Sequence, residues 1–72
     1  MSAPAKLLTH LRRFRFEAGE MSQQELADLA GVSRQTIISI EKGRFQPSVA
    51  LALRLARAFD TTVEKLFELQ DE

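Results

Sequence analysis

The sequence predicts an all-α fold in which five short helices pack into one domain of 72 residues. Three observations lead to this prediction. Apolar residues recur every three or four positions, as on one face of a helix, and the alternation of a half-buried strand is absent. Serine, threonine or proline precedes the predicted helices, and each of the three glycines follows one of them. Since no repeat or linker-like segment divides residues 1–72, a single domain is expected.

The first helix is predicted from about Pro4 to Ala18, with Gly19 as its end. Its apolar residues recur at the spacing of one helical face. That face consists of Leu7, Leu11, Phe14 and Ala18. Phe16 lies about 140° from Leu11 around the helix and is expected to face away from the core.

The second helix is predicted from about Gln23 to Ala30. Ser22 is a suitable N-cap, and Glu25 three residues later completes a capping box. Gly31 follows the helix, where a residue able to adopt a positive φ is expected. These signals define both ends of the helix.

The third helix is predicted to begin after the cap Ser33 and to end at Gly43. Ala27 suits the point where the second and third helices cross, because a larger side chain there would separate them. Ile37 and Ile40 supply the inner face of the third helix. Residues 23–42 therefore fit a helix-turn-helix, a unit whose second helix can enter the major groove of DNA.

The last two helices follow the same capping logic. The fourth is predicted from the cap Ser48 to about Phe59. The fifth is predicted from Val63 to about Leu69, with Thr62 as its cap. The acidic tail at residues 70–72 is expected to be frayed.

The outward face of the third helix carries side chains suited to reading base edges. An arginine can donate two hydrogen bonds to guanine, and a glutamine can pair with adenine. Arg34 and Gln35 are therefore the predicted base readers, with Ser39 one turn further along. Thr36 and Ile38 offer methyl groups to thymine. For Ile38, contact with a neighbouring helix is an equal alternative.

Further polar residues are placed to bind the DNA backbone. The start of the second helix has free N–H groups and a dipole that attract a phosphate. Such contacts set the register and supply salt-dependent affinity, but they carry no sequence information. The predicted backbone-binding residues are Gln23, Ser33, Lys42 and Arg44.

Two charged residues lie at the edges of apolar faces. Arg15 is about 40° from Leu11 on the first helix, and Glu41 is about 40° from Ile37 on the third. A charge in such a position needs a partner or water. Either the two pair and fix the third helix against the first, or each reaches water separately.

Composition excludes several classes of function. Cysteine is absent, which excludes disulfides and thiolate metal sites. His10 is the only histidine, and no cofactor-binding, metal-binding or catalytic motif accompanies it. With no signal peptide or apolar segment long enough to span a membrane, a soluble, cytoplasmic protein without enzymatic activity is expected.

The charge is unevenly distributed although the formal net charge is zero. Residues 1–57 carry nine basic and five acidic side chains, a net charge of +4. Residues 58–72 carry one basic and five acidic side chains, a net charge of −4. A basic body of this kind can attract DNA, and an ordinary mixed surface is the alternative.

With these residues established, the chain resembles the XRE family of small phage-repressor and Cro-like helix-turn-helix regulators. The resemblance covers about Leu7 to Leu69 and is strongest in MSQQELADLAGVSRQTIISIEKG. It implies a lambda-repressor-like fold and a bacterial or phage regulator that binds operator DNA, typically as a dimer. The site residues it implies are Arg34, Gln35 and Ser39 for bases, Gln23, Ser33, Thr36, Lys42 and Arg44 for phosphates, and Arg15 with Glu41 as an ion pair.

Repression of transcription by a homodimer is thus the first functional hypothesis. The candidate dimer interface is Val63, Leu66, Phe67 and Leu69, and the alternative is that these side chains complete the monomer core. The second hypothesis is an antitoxin or interaction module that binds and neutralises a partner protein. A toxin or regulatory protein would then be a partner in addition to DNA.

Overall fold

Five α-helices and a small antiparallel sheet make up residues 6–70, the part of the chain that the computed structural model describes. The prediction of a five-helix fold is confirmed, and the sheet is an addition to it. The elements in chain order are β1 Lys6–Thr9, α1 Leu11–Glu17, α2 Gln23–Ala30, α3 Arg34–Glu41, α4 Val49–Ala58, α5 Val63–Leu66 and β2 Phe67–Gln70.

Serine caps begin the three longest helices at the predicted residues. Ser22 and Glu25 form the reciprocal capping box, in which the Ser22 hydroxyl accepts from the Glu25 amide at 2.9 Å and the Glu25 carboxylate accepts from the Ser22 amide at 3.0 Å. The hydroxyls of Ser33 and Ser48 likewise accept from the amide three residues on, at 3.2 and 3.1 Å. Each cap satisfies an N–H group that the helix itself leaves without a partner.

The turn between α2 and α3 depends on Gly31. Its φ of +73° lies in the left-handed region, where a side chain would add strain. The amide of Val32 then donates to the carbonyl of Ala27 at 3.0 Å, which closes the end of α2. The turn thereby directs α3 across α2 at the fully buried Ala27.

The core lies where α1, α2, α3, α4 and α5 meet. Most of its apolar side chains lie on the inner faces of helices, because residues three and four apart share one side of a helix. Phe14 and Phe59 extend the core at one side, with their ring centroids 5.7 Å apart. The buried residues are Leu11, Leu26, Ala27, Ala30, Ile37, Ile40, Leu51, Ala52, Leu55, Ala56, Leu66 and Phe67.

The prediction of one helix from Pro4 to Ala18 was wrong over its first part. Residues 6–9 form β1, and α1 begins only at Leu11. Pro4 itself lies outside the described residues. β1 pairs with β2 in an antiparallel register that places Leu7 opposite Leu69 and Thr9 opposite Phe67. Pairing with a segment distant in sequence outweighs local helical periodicity here.

The fifth helix was also predicted too long. It ends at Leu66, and Phe67–Gln70 continues as β2 instead of helix and frayed tail. The two strands satisfy each other's backbone groups, and the amide of His10 donates to the carbonyl of Leu66 at 2.8 Å. The sheet thus ties the start of α1 to the end of α5, and its residues line a cavity together with Ile40 and Gly43 at the end of α3. Residues 71 and 72 of the predicted tail lie outside the described part.

Candidate nucleic-acid interface

The outward face of α3 presents the side chains that the sequence indicated as base readers. Arg34 and Gln35 are exposed at its first turn, while Thr36 and Ser39 are half-buried. Ile37 and Ile40 on the opposite side are 0% and 2% exposed and hold the helix on the core. The helix is therefore anchored along one face, with its N-terminal end open to solvent. This is the geometry in which a helix-turn-helix presents its second helix to a groove.

Thr36 has less freedom to hydrogen-bond a base than the sequence suggested. Its hydroxyl lies 3.0 Å from the hydroxyl of Ser33, and its amide donates to the same oxygen. The Ser33 hydroxyl is occupied in turn by capping α3. In this arrangement the methyl group of Thr36 is its main remaining contribution to a contact with DNA.

Arg15 and Glu41 form a two-point ion pair between α1 and α3. Arg15 Nε donates to Glu41 Oε2 at 2.7 Å, and Arg15 Nη2 donates to Glu41 Oε1 at 3.0 Å. The two side chains are only 13% and 10% exposed. A third donor, Nη1, reaches the carbonyl of Met21 at 2.9 Å. The arginine thus joins α1, the loop before α2 and the end of α3.

Gln23 is connected to the same pair. Its Nε2 donates to Glu41 Oε1 at 3.1 Å, so Glu41 accepts from both Arg15 and Gln23. The side chain of Gln23 is half-buried and held at the first position of α2. The side chain of Gln23, which was predicted to bind the DNA backbone, is therefore held in one orientation before any ligand binds.

Two adjoining shallow grooves run between α1 and the helix-turn-helix. Four basic side chains and one acidic side chain line them, and the acidic one, Glu41, is neutralised by Arg15. This side of the molecule is therefore basic although the whole chain is neutral. The lining residues are Arg12, Arg15, Phe16, Ser22, Gln23, Gln24, Arg34, Ile38, Glu41 and Lys42.

The remaining predicted backbone-binding residues lie at the end of α3. Lys42 is exposed at its C-cap and lines one groove. Arg44 is exposed in the following loop, and its amide donates to the carbonyl of Ser39 at 2.9 Å. Ile38 lines the same groove as Lys42 and is half-buried, so it contacts the neighbouring residues and still borders the open surface.

The family model described as helix-turn-helix matches residues 11–66. This chain belongs to that helix-turn-helix family, of the XRE type. It is a transcriptional regulator with a helix-turn-helix DNA-binding domain.

Relatives in the helix-turn-helix family occur in archaea and bacteria. An uncharacterized HTH-type transcriptional regulator of Archaeoglobus fulgidus is 47% identical over 64 residues, covering 89% of this chain and 90% of the relative. Another HTH-type transcriptional regulator, from Methanothermobacter thermautotrophicus, is 48% identical over 65 residues, covering 89% of this chain and 93% of the relative. The similarity therefore does not by itself assign a bacterial source.

Solved structures of helix-turn-helix regulators share the fold. The restriction-modification controller protein C.AhdI from Aeromonas hydrophila is 34% identical, with a TM-score of 0.71 over 76% of this chain and 82% of its own. The clp gene regulator ClgR from Corynebacterium glutamicum is 31% identical, with a TM-score of 0.70 over 76% of this chain and 57% of its own.

The predicted dimer interface needs correction in this helix-turn-helix chain. Leu66 and Phe67 are 0% and 7% exposed, so both belong to the monomer core, and only the edge of Phe67 borders an apolar groove. The helix was predicted to continue to about Leu69, but residues 67–70 form a strand that turns Phe67 inward. Val63 also packs against the core, and Leu69 remains 69% exposed.

Sequence reasoning missed Arg12, which lines both grooves beside the helix-turn-helix. The available signal was its helical spacing, because Arg12 lies three residues before Arg15 and four before Phe16.

Neither a metal site nor a membrane-spanning helix is found within residues 6–70. No group of three histidine, cysteine, aspartate or glutamate side chains there could hold a metal ion. The helices of this region are also too short or too polar to cross a bilayer.

Proposed function

We propose that this protein is a repressor that binds specific operator sequences in double-stranded DNA. In this proposal α3 enters the major groove, where Arg34 and Gln35 read bases. Ser39 and the methyl group of Thr36 contribute further base contacts. Gln23, Ser33, Lys42 and Arg44 bind phosphates on either side. When the protein is bound to an operator that overlaps a promoter, it would then exclude RNA polymerase from that promoter.

One observation carries this proposal. The exposed polar face of α3 lies directly beside two grooves in which the only acidic side chain from residues 6–70 is already paired. A duplex has one negative charge per about 1.7 Å of its axis, so a surface of this sign attracts it. The side chains at the exposed end of α3 are those that hydrogen-bond guanine and adenine edges.

The test of base reading is selection of duplexes from a random pool, followed by affinity measurement. We expect wild-type protein to select a consensus, and Arg34→Ala to lose discrimination at one guanine position in each half-site of it. Gln35→Ala should lose it at an adenine position. Each loss should amount to about 1–3 kcal/mol, because one bidentate contact is worth that much.

The matched control is Arg54→Ala, which removes an equal charge from an exposed position on α4. It should leave the consensus unchanged. If all three variants shift affinity equally at every sequence, α3 does not read bases and the proposal of sequence-specific binding fails.

We further propose that the protein binds its operator as a homodimer. In such a dimer the two copies read two half-sites about 34–36 Å apart, and the dimer binds the operator more tightly than one copy would. The proposed interface is the α4–α5 face, defined by Leu7, Val49, Leu53, Val63 and Leu69. It supports the proposal because Val49 is 78% exposed and Leu53 is 55% exposed on a continuous apolar groove.

Sedimentation of Leu53→Glu tests this interface. A carboxylate at this position would be buried against apolar side chains and near Glu64, so we expect a monomer at concentrations where wild type is dimeric. Leu29→Glu is the control, because Leu29 is equally exposed at 59% but lies on α2. Equal masses for wild type and Leu53→Glu would exclude the α4–α5 face as the dimer interface. A stable complex with a toxin-like protein on that face would favour the antitoxin function.

A further inference from the structure

Phe16 is a large apolar side chain without a place in the core. It projects from α1 and is 52% exposed, whereas Phe14 two residues earlier packs against Phe59. Arg12 lies one turn before Phe16, and its Cζ atom is 5.7 Å from the centre of the Phe16 ring. This distance is within the range of a cation–π interaction. The exposed ring therefore supports a guanidinium group.

Arg12 is placed at the junction between α1 and the helix-turn-helix. It lines both shallow grooves, together with Gln23 in each, with Arg34 in one and with Lys42 in the other. Arg15 next to it is paired with Glu41. Within residues 6–70, Arg12 makes no salt bridge. Its charge is thus available at the edge of the basic side.

We propose that Arg12 is a further DNA-binding residue, which binds a backbone phosphate, and that Phe16 is the positioning residue that holds its guanidinium towards the grooves. This inference rests on the proposed function. The ligand is a phosphate of the strand beside the major groove that α3 enters. A planar guanidinium can donate two parallel hydrogen bonds to phosphate oxygens while its face remains stacked on the ring.

The neighbouring pair Arg13 and Phe14 provides an internal comparison. Arg13 also stacks on a ring, with its Cζ atom 5.5 Å from the centroid of Phe14. Arg13 is exposed but does not line either groove beside the helix-turn-helix. Both arginines stack on a ring, so stacking alone does not predict a phosphate contact. What distinguishes Arg12 is its position beside the grooves. Arg13→Ala removes the same charge from the same helix.

The first measurement is the salt dependence of binding to the duplex that wild-type protein selects. Arg12→Ala should weaken binding roughly tenfold for each half-site. The loss should be the same for the selected duplex and a scrambled one, because a phosphate contact carries no sequence information. The slope of log affinity against log salt should fall in magnitude by about 0.9 for each half-site, the value for one phosphate. Arg13→Ala should leave the slope unchanged.

The second measurement tests Phe16. Phe16→Leu should produce part of the loss of affinity seen in Arg12→Ala, whereas Phe16→Trp should retain wild-type affinity. In the Arg12→Ala background, Phe16→Leu should cause no further loss. Thermal unfolding of every variant identifies any loss that comes from misfolding. Replacing phosphates by neutral methylphosphonates should identify one position in each half-site, and with both positions replaced wild type and Arg12→Ala should bind equally.

The outcomes separate the two proposals. If wild-type protein binds no duplex, the proposed function and this inference both fail. If it selects a consensus but Arg12→Ala behaves like Arg13→Ala, only the role of Arg12 is overturned. If Phe16→Leu weakens binding equally with and without Arg12, Phe16 does not act through Arg12.

Discussion

Ile37→Ala is expected to destabilise the protein by about 3 kcal/mol, within the range for truncating a fully buried aliphatic side chain. Ile37 is 0% exposed and anchors the inner face of α3 on the core. A chain of 72 residues has a free energy of unfolding on the order of 5 kcal/mol. The substitution therefore removes a large part of the stability, and DNA binding should be lost together with the fold.

Ile38 is the matched control, because it is the same residue type one position later on the same helix. It is half-buried and lines the groove beside Lys42. Ile38→Ala should cost about 1 kcal/mol or less, since the side chain loses less buried area. Urea unfolding followed by circular dichroism measures both variants. Equal destabilisation would contradict the assignment of Ile37 to the core and Ile38 to the edge of the DNA-binding side.

The central part of the fold could be predicted because its signals are local. Ser22 and Glu25 cap α2, Gly31 ends it and Ser33 caps α3, and each of these residues lies within four positions of the group it contacts. Helical periodicity then assigns Ile37 to the core. Local interactions of this kind are encoded in short stretches of sequence, and the structure has α2 at the predicted residues.

The sheet could not be predicted in the same way. Leu7 fits one face of a helix as well as it fits a strand, and its partner Leu69 is at the other end of the sequence. The strand conformation is stabilised by this pairing, and nothing local to residues 6–9 indicates it. The wrong boundaries of the first and fifth helices have this single cause. The burial of Phe67 in the monomer core, where an exposed position was predicted, follows from it.

Most residues of the candidate site could be predicted from the sequence, but the contacts between them could not. Residue types and helical angles identified Arg34 and Gln35 as exposed, yet they left Arg15 with two alternatives. The structure supplies the distances that decide between them, with Arg15 and Glu41 in two-point contact. It also places Arg12 at both grooves, a position that depends on how α1 packs against α2 and α3.

The ion pair between Arg15 and Glu41 connects the stability of the fold with the proposed DNA-binding side. Glu41 accepts hydrogen bonds from both Arg15 and Gln23, and Arg15 also holds the carbonyl of Met21. Removing Glu41 would leave a mostly buried guanidinium without a counter-charge, which is more costly than removing both partners. Gln23 would lose its hydrogen-bond acceptor at the same time.

Glu41→Ala is therefore expected to lower the free energy of unfolding by about 3 kcal/mol, at the lower end for a buried pair that loses one partner. Arg15→Met with Glu41→Ala should recover part of this loss, because no unpaired charge remains. Urea unfolding of the four proteins in the double-mutant cycle gives the coupling energy, and a value below about 0.5 kcal/mol would show two independent surface charges. Arg15→Lys should behave like a broken pair, since an ammonium group cannot make the two parallel contacts that the guanidinium makes.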